Sequence, residues 1–245
     1  MKFLVCISNV PDTTSKITFT DNNTLFNSAG VQYILNPYDE LGIARALELA
    51  EGGKATITVL HVGEISAEPT IRKALALGAD DAVRINSKPK DAFFVASQIA
   101  AYAKDKKYDI LFFGRESIDY NGAQVCSMVA ELLEIPSVSI AKKLALEGSI
   151  ATLDREIEGG IEIIQANLPL AISCSEGISE PKIPNMRGIM SARSKPLLVI
   201  EPIEGPDFTH VLRYEAPAQR GKVKLVEAGD AEKLIELLHS QAKVI

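Results

Sequence analysis

The sequence predicts a doubly wound α/β fold with a mainly parallel sheet. Three observations carry that expectation. Strand-like and helix-like segments alternate through most of the first part of the chain. The strand-like segments are near-continuous apolar runs, as in strands buried on both faces, and each segment closes on a turn or capping signal. Composition agrees: of 245 residues, 47% are hydrophobic and 24% charged. Those are ordinary globular values and exclude a disordered or collagen-like chain. A chain of this length buries enough surface to fold without disulfides or metals.

The elements follow in order. Phe3–Ser8 reads as a short buried strand, and Val10-Pro11-Asp12 as the turn after it. Residues 16–34 read as small strands around Asp21-Asn22-Asn23. Asn36 is placed to cap a helix, with Pro37 at its first position, where a missing N–H costs nothing. That helix is expected to run to about Ala50 and to stop at Gly52-Gly53. Then come a β-branched strand over 55–62, a helix over 69–77 ended by Gly78, and a strand over 82–85. A helix over 92–103, a strand over 108–113 ending at Gly114, and a helix over 123–133 complete this part.

After Pro136 the pattern changes. Residues 138–146, 150–157, 161–167 and 170–174 are extended segments, and Gly159-Gly160 between two alternating runs signals a hairpin. They are expected to form an antiparallel extension of the sheet. Residues 175–196 read as a loop with a short helix around Ile189–Arg193, and 197–200 as a further strand. Residues 201–222 read as an irregular arm and 230–241 as an amphipathic helix with Leu234, Leu237 and Leu238 on one face. The expected organisation is one α/β domain over 1–200, including the loop 175–196, followed by an arm and helix over 201–245.

Charge and motifs narrow the function. The net charge is −6, which disfavours a nucleic-acid binder, since that needs a basic face. No run approaches the length of a membrane span, and the N-terminal apolar run is too short for a signal peptide. The expectation is a cytoplasmic protein without membrane or nucleic-acid partners. Cys6, Cys126 and Cys174 are far apart and read as reduced thiols. His61, His210 and His239 lack metal spacing, and His61 reads as a satisfied core histidine. The pairs Asp80-Asp81 and Glu158/Glu162 read as turn or solvated-face charges. Glycine-rich dinucleotide, lysine-containing phosphate-loop, zinc and nucleophile-elbow motifs are missing. No catalytic or metal residue is assigned, and a binding or carrier role is expected.

Two segments stand out. A doubly wound sheet binds ligands at the carboxyl ends of its strands, here the loops 8–13, 36–39, 62–66 and 114–125. In the last of these, Gly114, Arg115, Glu116, Ser117, Ile118, Asp119, Asn121, Gly122, Ala123, Gln124 and Val125 lead from a buried strand into a helix. Backbone N–H groups at that helix start, with Gly122 permitting close approach, suit an anion such as phosphate. The same pattern also suits an ordinary βα loop. The second segment, 180–195, carries four basic residues and one acid, with Ile183, Met186, Arg187, Ile189, Met190, Arg193 and Lys195. Adaptable apolar residues in a basic rim suit an acidic partner surface, and equally a solvated loop.

Several segments in order resemble the beta subunit of electron transfer flavoprotein. They are Leu4–Asp12, Asn36-Pro37-Tyr38-Asp39-Glu40, Ile71–Asp80, Gly114–Val125, Asp154–Gly160 leading to Leu168-Pro169, Pro184–Met190 and Ala216–Gly221. The resemblance implies a Rossmann-like domain of the adenine-nucleotide-binding type. It implies a heterodimer with a larger alpha subunit that holds most of an FAD. Such a pair carries electrons from acyl-CoA dehydrogenases and related flavin dehydrogenases to electron transfer flavoprotein–quinone oxidoreductase. By position, AMP would be held by Cys6, Asn36, Pro37, Tyr38, Asp39, Val62 and the loop Gly114–Val125. Thr13, where the family often has an aromatic residue, and Tyr38 would approach the flavin. Ile183, Met186, Arg187, Ile189, Met190, Arg193 and Lys195 would dock the dehydrogenase, and the arm would wrap the alpha subunit. Val10–Thr14 is also found in electron-bifurcating relatives, where a second FAD replaces AMP and NADH is the donor. The Gly159-Gly160 hairpin and the tail favour AMP. A stand-alone nucleotide-binding regulatory domain of the universal-stress type remains an alternative class.

Overall fold

A computed structural model describes residues 1–218 and 223–245. The end of the Ala216–Gly221 segment therefore lies outside the described residues. Two compact units are present, one of Met1–Ile17 and Asn27–Leu212, the other of Thr18–Phe26 and Arg213–Ile245.

In the first unit, β1 (Lys2–Cys6) and β2 (Asn9–Pro11) are followed, after a segment of the second unit holding β3 (Phe19–Thr20) and β4 (Leu25–Phe26), by β5 (Tyr33–Leu35). The chain continues through α1 (Pro37–Ala50), β6 (Thr56–Val62), α2 (Glu68–Leu77), β7 (Asp81–Ile85), α3 (Ala92–Ala103), β8 (Ile110–Gly114) and α4 (Val125–Leu132). Then come β9 (Ser137–Glu147), β10 (Ile150–Ile157), β11 (Gly160–Asn167), β12 (Leu170–Cys174), α5 (Met186–Ala192) and β13 (Leu197–Ile200).

Nine strands form one sheet in the order β11-β10-β9-β12-β8-β1-β6-β7-β13. From β9 to β13 all neighbours pair in parallel, and β9-β10-β11 pair antiparallel. The doubly wound, mainly parallel sheet with a hairpin extension is thus the observed architecture. One expected placement differs. Leu170–Cys174 does not join the extension; it returns to the middle of the sheet between β8 and β9. Every residue of this run is buried, whereas β11 is exposed along much of its length. An unbroken apolar run belongs where both faces are covered.

The two faces of the sheet carry separate cores. On one, Phe3, Val5, Ile57, Val59 and Phe112 pack under α1 and α2. On the other, Leu4, Cys6, Leu60, Leu111 and Phe113 pack under α3 and α4. Phe3 meets Phe112 edge-on across the strand pair with ring centroids 5.5 Å apart, a geometry worth about 1 kcal/mol beyond burial. Because α1 and α4 lie on opposite faces, the chain leaves the adjacent ends of β1 and β8 in opposite directions. The crevice of a doubly wound sheet opens at such a point.

Local signals fix the helix ends. Gly78 stops α2 at φ +141°. Asp91 caps α3 by accepting from Phe94 N at 2.7 Å. The other oxygen of the same carboxylate accepts from Phe208 N at 2.7 Å and Thr209 N at 3.0 Å. Gln98, buried within α3, donates to Ile203 O at 3.0 Å and accepts from Ile203 N at 2.8 Å. Residues 201–212, expected to begin the arm, are therefore strapped along α3 and belong to the first unit.

In the second unit, β3 and β4 form a two-stranded hairpin. Phe19 stacks on Tyr214 with centroids 4.8 Å apart, and Tyr214 N donates to Asn23 O at 2.7 Å. The terminal helix α6 (Ala231–Leu237), capped by Asp230, continues into a π turn over Leu238–Ala242 and has no buried residue.

Gln98→Ala removes both side-chain partners of Ile203. An intramolecular hydrogen bond contributes about 1 kcal/mol net, so losing the pair should cost about 2 kcal/mol in chemical denaturation. Amide hydrogen exchange should accelerate over 203–209 while β1 and β8 stay protected. Unchanged exchange across that strap would contradict the clamp assigned to Gln98.

Candidate adenylate crevice and docking loop

Parallel pairing of β1 with β6 and β8 brings the loops after these strands to one edge of the sheet. There Asp39, in the first turn of α1, is buried at 3% exposure. Its Oδ2 accepts from Ser8 N at 2.6 Å and its Oδ1 from Gly114 N at 2.9 Å. One carboxyl thus joins the ends of β1 and β8. Asn36 works beside it, fully buried. It donates from Nδ2 to Glu116 O at 2.9 Å and accepts at Oδ1 from Ile118 N at 3.2 Å. Asn36 N donates to Ser8 O at 3.1 Å. The side chain of Asn36 does not cap α1 as the sequence suggested; it reaches across to shape the loop after β8.

Gly114 is required by space. A Cβ there would collide with Asp39 Oδ1 and lie 2.9 Å from both Asp39 N and Tyr38 Cβ. Beyond it, Asn121 and Ala123 hold φ of +50° and +51°, a conformation that costs a non-glycine residue roughly 1 kcal/mol. These residues cannot be helical, so α4 begins at Val125 and not at Ala123. Its N-cap residue, Gln124, makes no side-chain cap. The N–H groups there keep the positive end of the helix dipole available to an anion. Gly122 has open space on its Cβ side.

The candidate residues divide by exposure. Cys6, Asn36, Asp39 and Val62 are buried; Tyr38, Val125 and the stretch 114–118 are half-buried; Thr13, Pro37, Asp119 and 121–124 are exposed. Hydrogen bonds join Asn36, Asp39, Gly114, Glu116 and Ile118 into one network. Thr13 stands outside that network, at an exposed turn where Thr14 N and Oγ1 both donate to Asp12 Oδ1. A concavity of about 600 Å³ opens at the other end of the strands, lined by Lys104, Lys107, Tyr108 and Pro169 among others, and contains none of the candidate residues.

Three contributors were not singled out from sequence. Ser8 gives Asp39 its backbone N–H and takes Asn36 N at its carbonyl, main-chain contacts that the sequence does not display. Asn9 Oδ1 accepts from Thr70 Oγ1 at 2.6 Å, tying the loop after β1 to α2. Arg84 is buried in β7 and donates to Gly63 O at 3.1 Å and Asn86 Oδ1 at 2.8 Å, with Glu68 at 3.3 Å. A charge inside the apolar run Ala82–Ile85 was the legible hint for Arg84.

The titratable groups follow from burial. Burial pushes the Asp39 carboxyl up to about 7, against the opposing pull of its N–H donors. Burial likewise raises the thiols of Cys6 and Cys174, and pushes Cys126 up to about 12. None of the three is a ready nucleophile. His61 is buried, with Nδ1 2.8 Å from Ile7 O, and its basicity is lowered by burial. It is the satisfied core histidine expected. Among the described residues, no group of three or more metal-ligating side chains occurs, and no helix is long and apolar enough to cross a membrane.

The docking-loop candidates lie elsewhere. Asn185 caps α5 by accepting from Gly188 N at 2.8 Å, so the helix starts three residues earlier than expected. Ile183, Met186 and Met190 are 94%, 74% and 68% exposed. Ile189, Arg187 and Arg193 are also exposed. Lys195 differs: its Nζ turns inward and donates to Leu75 O at 3.0 Å and Ala79 O at 2.6 Å.

A family model described as the electron transfer flavoprotein domain matches residues 24–204. The electron transfer flavoprotein subunit beta of Bacillus subtilis is 35% identical, over 100% of each chain. That of Syntrophomonas wolfei is 32% identical, over 100% of this chain and 98% of its own. The acryloyl-CoA reductase electron transfer subunit gamma of Anaerotignum propionicum is 32% identical, over 97% of each.

A stability profile checks the Asp39 environment. A carboxyl whose folded pKa lies above its unfolded value holds its proton longer in the folded state, so stability falls as pH rises between the two. Here that window runs from about 4 to about 7. Urea denaturation across it should show the decline, and Asp39→Asn should flatten it. A profile equally steep in Asp39→Asn assigns the decline to another group.

Proposed function

The chain belongs to the electron transfer flavoprotein beta-subunit family, and from that premise we propose that its crevice holds a structural AMP while the larger subunit supplies most of the FAD site. Family membership makes the chain part of an electron carrier associated with flavin and implies an alpha-subunit partner. In our reading the pair takes electrons from acyl-CoA dehydrogenases and related flavin dehydrogenases and passes them to a quinone oxidoreductase. The observation that carries the AMP assignment is the brace of Asn36 and Asp39. It holds the loop after β8 against α1, and that loop leads to a helix start whose N-cap residue, Gln124, makes no side-chain cap.

The donors suit an adenylate. Main-chain N–H groups at Val125 and its neighbours would meet the phosphate. Arg115 offers the nearby cation, 3.9 Å from Glu116. The Asp39 carboxyl does not oppose the phosphate, because it is buried and its two oxygens are engaged by Ser8 N and Gly114 N. Cys6 and Val62, at the ends of β1 and β6, would flank the base. Thr13 and Tyr38 would face the flavin. When bound, FAD supplies the one- and two-electron chemistry. The chain's own residues orient it, exclude water and present the complex to its donors. The segment 201–245 would pack on the alpha subunit.

A second reading rests on Val10–Thr14. In it the crevice takes a second FAD, with NADH as donor. Co-expression with the alpha subunit, acid release and mass spectrometry separate the readings. One FAD and one AMP per heterodimer is the expected result. Two FAD molecules would convert the assignment to the bifurcating type, and a chain that binds ATP with no flavoprotein partner would remove both.

The docking loop is tested by Met186→Ala in the heterodimer. Truncating a buried interface anchor costs more than about 1 kcal/mol, so electron acceptance from an acyl-CoA dehydrogenase should slow about fivefold or more in kcat/KM. The flavin absorption spectrum should not change. Parent-like transfer kinetics would remove the role given to Met186.

A further inference from the structure

The exposed side of α5 raises a physical question. A seven-residue helix is not stable alone in water, and Gly188 at its centre lowers its propensity further. Something outside the helix must hold it. The support comes from α2 and is reciprocal. Arg72, in α2, donates from Nη1 to Ala192 O at 2.8 Å and Lys195 O at 2.7 Å, at the C-terminal end of α5. Lys195, just after α5, donates from Nζ to Leu75 O at 3.0 Å and Ala79 O at 2.6 Å, at the C-terminal end of α2. Each helix thus has its last carbonyls met by a cation anchored on the other, where the helix dipole favours positive charge. Between these two contacts the helices touch backbone to backbone. A Cβ on Gly188 would collide with Ala76 O, and Ala192 is buried against the same core.

We propose that Arg72 and Lys195 are positioning residues for partner docking: crossed clamps that hold α5 in one orientation on α2. Met186 and Met190 are then presented already in place. The inference rests on the docking role given to this loop above. Without the clamps the segment would have to order on contact, and that cost is taken from binding. The other end of α2 is tied through Thr70 to Asn9 and through Glu68 to Arg84. The docking helix and the loop after β1 are therefore mounted on one rigid element. Lys195, grouped from sequence with the basic rim, has its ammonium engaged by the carbonyls of Leu75 and Ala79.

The test uses the heterodimer with an acyl-CoA dehydrogenase reduced by its acyl-CoA substrate. Lys195→Met and Arg72→Met should each raise the apparent KM for the dehydrogenase about tenfold, the scale expected when preorganisation is lost. The rate at saturation should be retained. Amide exchange over 186–192 should accelerate in both variants. Lys195→Arg, which can still reach two carbonyls, should restore both readouts. In Lys195→Arg, which keeps the charge, the salt dependence of kcat/KM should stay as in the parent. A reduced salt dependence with parent-like exchange in Lys195→Met would make Lys195 a direct docking charge and overturn the clamp. Parent-like KM in both variants, with Met186→Ala still slow, would overturn this inference alone. A silent Met186→Ala would remove the docking reading on which it rests.

Discussion

One carboxyl holds the crevice together. Asp39 sits in the first turn of α1 and receives an N–H from the end of β1 and another from the end of β8. Parallel neighbours diverge at this point in a doubly wound sheet, and the gap between them is what admits a ligand. A gap without a tie would leave two strand-end N–H groups unpaired away from water, which is costly. Asp39 meets both, and Asn36 extends the tie to the loop beyond. The shape of the crevice is therefore set before any ligand arrives.

That arrangement explains how a nucleotide could be held by a chain lacking familiar phosphate motifs. A lysine loop places charge by side chain. On the proposed reading the donors would be main-chain groups, placed by a strained turn at Asn121 and Ala123 and by a helix start whose N-cap residue, Gln124, makes no side-chain cap. The three thiols are held protonated by burial, and His61 is engaged with Ile7 O. These four side chains are held in structural roles, which fits the proposed reading of a carrier whose reactive group is contributed largely by its partner.

Much of the fold was legible because it follows from local patterns. The apolar runs, Gly78 and the Gly159-Gly160 turn mark elements whose observed bounds lie within a few residues of those expected. What was hidden depends on distant partners. Asn36 looked like a helix cap because capping is a local rule, yet its partners lie 80 and 82 residues away. Lys195 looked like surface charge because nothing nearby shows the carbonyls of α2 that receive it. Leu170–Cys174 was grouped with its hairpin neighbours, although its unbroken apolar character argued for the interior. Gln98 sat unnoticed in a helix because its partner, Ile203, is 105 residues distant. The loops that border the crevice were expected from topology and resemblance together; the hydrogen bonds that brace them were not, since they run through main-chain groups of Ser8 and Gly114.

The crowding at Gly114 has a consequence for how such a chain could change over time. Asp39 Oδ1 occupies the space that any side chain at 114 would need, while both oxygens of Asp39 are committed. Neither position is therefore free to drift alone. A larger residue at 114 becomes tolerable only after 39 has retreated, and a shorter residue at 39 strands two amides until something else fills the void. The two sites form an epistatic pair, and an intermediate on the way to a differently shaped crevice would cross a valley in stability.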